Sequence, residues 1–242
     1  MSEFENVRKT LDRYIEGTKR LDYDMVISAV HHDGRLFVGN SDTSKNLLLH
    51  WQSDMERHKE TDRKAWYEMF QVPILAIEIE GTIAFAKLRM RAWYDFHNLV
   101  KIKDEWKIVG KVSHKITEQD NKDITEIEQL REAIETYIQG SRELDYSKMV
   151  SVVHPDARLF LGNEETSKNL YIHWKPDPVR FGTEEAKRDW YEKAIIKILS
   201  IKIEGTIANV KLQFADWYFD FHNYVKTSAG WKMVDKVSHK IE

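Results

Sequence analysis

A chain of 242 residues with 42% apolar, 32% charged and 12% aromatic residues has an ordinary globular composition and enough length for two cores. Its net charge of −3, with acidic and basic residues interspersed along both halves, gives no basic field for nucleic acid. The lack of cysteine excludes disulfides, thiolate chemistry and Cys-ligated metal, and no apolar run approaches the roughly 18 residues of a membrane span.

Ser2 followed by Glu5 is a capping-box pattern, and Phe4, Val7, Leu11 and Tyr14 form a one-faced helical stripe after it. Gly17 is the expected stop. A second, short helix is expected from Asp22 to near His31-His32-Asp33, then RLFVGN (35–40) as a short strand ending in a Gly-Asn turn. TSKNLLLHW (43–51) is ambiguous between helix and loop, and residues 60–71, with Trp66-Tyr67, read as helix. From Val72 the pattern turns to strands. ILAIEIEGTIAFAKLRM (74–90) alternates with period two and breaks at Glu80-Gly81, a hairpin. WYDFHNLVK (93–101) and EWKIVGKVSHKI (105–116) read as two further antiparallel strands joined at Lys103-Asp104.

The same order then returns. LDYDMVISAVHHDGRLFVGN (21–40) recurs as LDYSKMVSVVHPDARLFLGN (144–163), IEGTIA (79–84) at 203–208 and DFHN (95–98) at 220–223. Thr125 and Glu128 repeat the cap, Ile127, Leu130, Ile134 and Tyr137 the stripe, and Gly140 the stop. Residues 183–195 repeat the later helix, and Ser228-Ala229-Gly230 forms the last turn. A period near 120 is far longer than the 20–50 residues of a solenoid unit, so each copy is expected to be a whole domain. The division is 1–118 and 124–242, joined by a polar linker at 119–123. Helices followed by a meander of strands predict an α+β domain with helices on one face of a sheet. A one-residue insertion opposite Phe219 is expected to shift the strand register near Trp217-Tyr218.

VHPDARLF (153–160) and the endings WKIVGKVSH (106–114) and WKMVDKVSH (231–239) resemble the SnoaL-like, lumazine-binding-like branch of the nuclear transport factor 2-like superfamily. The resemblance spans essentially the whole of each copy. It implies two tandem cone-shaped, cystatin-like domains, each with N-terminal helices packed on a curved antiparallel sheet and an apolar pocket at the open end. Members of that superfamily include ketosteroid isomerases, scytalone dehydratase, polyketide cyclases and non-catalytic proteins, so the fold leaves the chemistry open. They commonly dimerise through their sheets, and two copies in one chain imply an intramolecular pseudo-dimer.

All four histidines of the second copy have counterparts in the first: His31/His154, His50/His173, His97/His222 and His114/His239. Asp95 and His97 (Asp220 and His222) lie two apart on a strand and share a face, so the carboxylate can orient the imidazole as a general base; an exposed strand-edge pair is the alternative. His114 and His239 share the face of Val112 and Val237, toward the cavity or at a solvated rim. His50-Trp51 and His173-Trp174 are expected at a pocket lip, or as core tryptophans with exposed histidines. Tyr14, Tyr137, Tyr67 and Tyr191, with Trp66 and Trp190, are placed on helices lining the cone, as ligand contacts or as packed aromatics. His31 and His154 read as structural.

Three readings follow. The first is a protein binding a flat, partly apolar small molecule in each copy, with or without lyase, isomerase or cyclase chemistry. In the catalytic version His97, helped by Asp95, removes a proton while His114 or a tyrosine polarises an oxygen. The second is an interaction module whose cones are filled by their own side chains. The third is a metal protein using Asp95, His97 and His114, for which no spacing motif exists. No cofactor, nucleic acid or membrane is expected as a partner. MSEFENVRK lacks the apolar region of a signal peptide, so the cytoplasm is the expected location.

Overall fold

The computed structural model describes residues 2–58, 72–117 and 124–242. Helix α1 (Glu3–Arg20) starts at the expected capping box: Ser2 N–H donates to Glu5 Oε2 at 2.7 Å and Glu5 N–H to Ser2 Oγ at 3.2 Å. The helix runs through Gly17 and stops at Leu21, in the left-handed region at φ 56°. Gly17 serves close approach instead, because a Cβ there would stand 3.0 Å from Met25 and Val26 of the next helix. That helix, α2 (Tyr23–Ala29), is capped by Asp22, which accepts from Met25 N–H.

Helix α2 passes directly into β1 (Val30–Val38), so His31-His32-Asp33 lie on a strand and not at a helix end. The ladder from β1 skips from Val30 to Arg35, and the matching skip in the second half accommodates Pro155. The ambiguous stretch resolves into β2 (Ser44–Asn46) and α3 (Leu47–His58). The helix expected over 60–71 lies outside the described residues, and Trp66 and Tyr67 with it. The meander β3 (Ile74–Glu80), β4 (Ile83–Met90), β5 (Trp93–Ile102) and β6 (Glu105–Lys115) follows, and the sheet order is β2-β1-β6-β5-β4-β3.

The second half repeats this with α4 (Ile124–Glu143), α5 (Tyr146–Ser151), β7 (Val153–Leu161) and β8 (Lys168–Asn169). Three short helices come next, α6 (Leu170–His173), α7 (Asp177–Arg180) and α8 (Glu184–Lys193). Its meander is β9 (Ile196–Glu204), β10 (Ile207–Phe214), β11 (Tyr218–Thr227) and β12 (Gly230–Lys240). Thr125, expected as the cap, lies inside α4, which already starts at Ile124, and the linker at 119–123 falls outside the described residues.

One expectation needs correction: each sheet is mixed, because β1 runs parallel to β6 and β7 to β12. The four-strand meander starts at the far edge and arrives in the centre running the same way as the first strand. The insertion also stays out of the strands. Phe214 pairs with Tyr218 where Met90 pairs with Trp93, so the β10–β11 turn takes the extra residue. Asp220 then faces Leu212 as Asp95 faces Leu88, and Trp217 is left in the turn.

Each half packs its helices on one sheet face, with Leu11, Trp51, Leu99 and Ile108 in one core and Ile134, Leu159, Tyr224 and Met233 in the other. The opposite faces meet each other. Phe85, Phe96, Val112, Phe221 and Val237 form a third core between the two sheets, which makes the chain its own pseudo-dimer. Cross-half ion pairs Lys87–Glu204, Lys202–Glu78 and Lys211–Glu80 flank it. Reciprocal backbone bonds, Asn40 N–H to Lys226 O and Asn163 N–H to Lys101 O, close its ends.

Within this apolar core lies one buried acid. Asp235 occupies the place that Gly110 holds in the first half, and a Cβ on Gly110 would collide with its carboxylate. The amides of Asn98 and Asn223 donate to it, and Asn209 links those two asparagines. Burial pushes the Asp235 carboxyl up to about 6, with Asn223 and Asn98 pulling in the other direction. The folded state therefore holds this proton more tightly than the unfolded chain, whose value is near 3.9, and the associated stability is lost as pH rises between those values. Relative to Asp235→Asn, the wild type should lose about 3 kcal/mol between roughly pH 4 and pH 8 in urea unfolding. A pH-independent difference between the two proteins would contradict this.

Candidate functional site

Strands β5 and β6 are buried on both faces, so alternation along them sorts side chains between the cone and the inter-sheet core. Asp95, Lys111 and Ser113 point to the cone, whereas Phe96, Val112 and His114 point to the other half. Lys111 Nζ lies 2.8 Å from Asp95 Oδ2, and Ser113 Oγ donates to Asp95 Oδ1 at 2.6 Å. Above them the Trp51 indole N–H donates to the Tyr14 hydroxyl at 2.9 Å, and Lys111 Nζ stands 3.4 Å from that same oxygen. The second half repeats the ion pair and its tyrosine, with Lys236 Nζ 2.7 Å from Asp220 Oδ2 and 3.5 Å from the Tyr137 hydroxyl.

Both ion pairs are buried. Burial alone would push the Asp95 carboxyl up, but the Lys111 ammonium, His97 and Ser113 outweigh it and hold it below the usual range. Burial works against the Lys111 charge too, and Asp95 and Tyr14 overcome it, so the ammonium holds its proton more firmly than a free lysine. Asp220 and Lys236 shift in the same directions, Asp220 held down by Lys236 and His222 against burial, and Lys236 held up by Asp220 and Tyr137. At neutral pH each site is a fixed cation beside a fixed anion, offering donors and acceptors and no labile proton.

A cavity opens over each pair. The first, about 490 Å³, is lined by Leu36, Trp51, Met90 and Trp93 over Asp95, Lys111 and Ser113. The second, about 380 Å³, has Leu159, Trp174, Trp190 and Trp217 over Asp220, Lys236 and Ser238. Both volumes fall in the range of small-molecule pockets.

His50 and His173 line these cavities, as do Trp51, Trp174 and Trp190. Burial lowers the pKa of both His50 and His173. Tyr14 borders the floor of the first cavity and Tyr137 lines the second. Other expected residues sit elsewhere. His97 and His222 lie behind these tyrosines, with ring centroids 5.4 and 5.3 Å apart, and do not line the cavities. Burial lowers His97 to about 3 and His222 to about 4, so both imidazoles stay neutral and are poor proton acceptors. Asp220 Oδ2 approaches His222 Nε2 only to 3.5 Å, too far for a strong hydrogen bond.

The cavity placement of His114 and His239 is overturned: they belong to the interface between the halves. His114 Nδ1 meets Thr206 Oγ1 at 2.8 Å and His239 Nδ1 meets Thr82 Oγ1 at 2.9 Å. Gly205 and Gly81, both at φ +54°, leave room for these rings, which a Cβ would strike. Consequently Asp95, His97 and His114 do not converge, and the metal set expected from them is not assembled. His31, His32 and Asp33 bring donor atoms within 4.8 Å of one another. Both His31 ring nitrogens are engaged, however, Nδ1 by Asp33 N–H and Nε2 by Glu165 O. Tyr191 lies on the outer surface under the Arg142 guanidinium, 4.1 Å from its ring centroid.

The sequence reading missed Lys111, Lys236, Ser113 and Ser238. Their signal was present: a lysine repeated in the middle of an apolar central strand is almost never buried without a partner.

The fold and its paired cavities define a tandem α+β cone protein of cystatin-like type. The sequence matches the family described as putative lumazine-binding over residues 2–114 and again over 125–239, and the chain belongs to that family. No curated protein matches it. Among solved structures it is similar to an NTF2-like protein of unknown function from Shewanella baltica, at 20% identity and TM-score 0.35, covering 48% of this chain and 94% of that one. Another, from Methylobacillus flagellatus, has 18% identity and TM-score 0.38, covering 51% and 98%. An NTF2-like protein with a cystatin-like fold from Novosphingobium aromaticivorans has 12% identity and TM-score 0.38, covering 48% and 84%. Among the described residues, no helix is long and apolar enough to cross a membrane.

Proposed function

We propose that each half binds a flat, partly apolar small molecule, stacked against tryptophan and read at its polar edge by the lysine–aspartate pair. The observation that carries this reading is the buried Lys111–Asp95 pair at the floor of an open cavity of about 490 Å³. A charged pair in a core adds little stability compared with apolar side chains of similar volume, so its retention beneath a cavity favours recognition. Lys111 donates and Asp95 accepts, which suits a heterocycle with a carbonyl next to an N–H, and the family description points to lumazine as a probe. The acid–base version of this reading has weaker support, since His97 is enclosed and neutral. Among the described residues no side chain fills the cavities, which disfavours the interaction-module reading.

Titration with lumazine, followed by calorimetry, tests the proposal. Saturable binding is expected below about 1 mM. Trp93→Ala, at the half-exposed cavity wall, should weaken it about tenfold or more with the melting temperature nearly unchanged. No saturation with lumazine or other flat heterocycles would overturn the reading.

A further inference from the structure

The two cavities share a floor but not a bonding pattern. In the first half Ser113 closes on Asp95, so each carboxylate oxygen already has one partner within the protein and keeps only its second lone pair for a ligand. In the second half Lys236 holds Asp220 Oδ2, while Asp220 Oδ1 and Ser238 Oγ have no partner among the described residues. Asp220 is 1% exposed and Ser238 is 3% exposed, and both line the cavity. A buried carboxylate oxygen without a donor is expensive, and a ligand N–H would satisfy it.

The second wall is aromatic: Trp217 stands against Trp190 with ring centroids 5.6 Å apart, and Phe214, in place of Met90, stands 5.7 Å from Trp190. Three aromatic rings thus gather beside a free acceptor. We infer that the second-half cavity takes a flat aromatic ligand presenting an N–H donor edge, such as an amino-substituted heterocycle, while the first half selects differently. The lysine neutralises only one face of the carboxylate, so an anionic or acceptor-only edge would meet Oδ1 unfavourably. This inference rests on the pocket-binding reading above.

Two-dimensional NMR of the indole N–H groups, assigned with Trp→Phe variants, tests it on the full chain. The probes are 2-aminobenzimidazole, which carries a donor edge, and benzoxazole, which has none. 2-Aminobenzimidazole should shift Trp190 and Trp217 well before Trp51 and Trp93, and benzoxazole should bind at least about tenfold more weakly. Trp217→Ala and Ser238→Ala should each weaken the aminobenzimidazole site, and Trp93→Ala should leave it unchanged. Equal shifts in both halves, tighter binding of benzoxazole, or no saturation by about 5 mM would overturn the inference. Lumazine shifts at Trp51 and Trp93 with aminobenzimidazole silent would sink this inference alone. Silence of every heterocycle at every indole would sink the pocket reading with it.

Discussion

Lys111→Met is expected to destabilise the protein by about 3–5 kcal/mol, because it leaves the Asp95 carboxylate buried with only a serine hydroxyl beside it. The loss should shrink at low pH, since an Asp95 deprived of its ammonium can be protonated instead of remaining charged. The double variant Lys111→Met/Asp95→Leu should regain most of the loss, because replacing both members of a buried pair by apolar groups is close to neutral. Urea unfolding of the four proteins of this cycle gives the coupling directly. A loss under about 1 kcal/mol for the single variant would mean that water reaches the pair and screens it. Lys236→Met should behave alike in the second half, where Asp220 makes the corresponding contact.

Phe96→Ala should also cost about 3–5 kcal/mol, and it should change the shape of the transition as well as its midpoint. Phe96 is fully buried between the two sheets and packs edge-to-face on Phe85 at 5.3 Å. Its removal weakens the contact that couples the halves, each of which has a core of its own. Calorimetry should therefore show the single transition broadening or splitting, with the van't Hoff enthalpy falling below the calorimetric one. The exposed Leu49 supplies the control, since Leu49→Ala should change stability by about 0.5 kcal/mol or less. A small effect with a single unbroken transition would show that Phe96 does not carry the coupling between the two sheets.

The strands and their order were legible because alternation and turn residues agree at Glu80-Gly81 and Lys103-Asp104, where β3–β4 and β5–β6 do turn. The direction of β1 was not legible. It depends on where the meander starts, and no local pattern encodes that. Parity along β5 and β6 was read correctly, since Asp95 and His97 do share a face, as do Val112 and His114. Which face meets the helices was the missing fact. On a strand buried on both sides, apolar content no longer separates core from interface. His114 was accordingly placed at the cavity or its rim, and Lys111, three residues before it, was passed over. His97 illustrates a further limit: a histidine facing a cone can be sealed beneath a tyrosine, and its spacing is the same either way.

The most direct test of the central claim is a crystal structure of the full chain grown with lumazine. The account predicts ligand density in the cavity beside Trp51 and Trp93, with its carbonyl and N–H edge on Lys111 and Asp95. Ligand bound only outside both cones, or cones packed with the chain's own side chains, would contradict it.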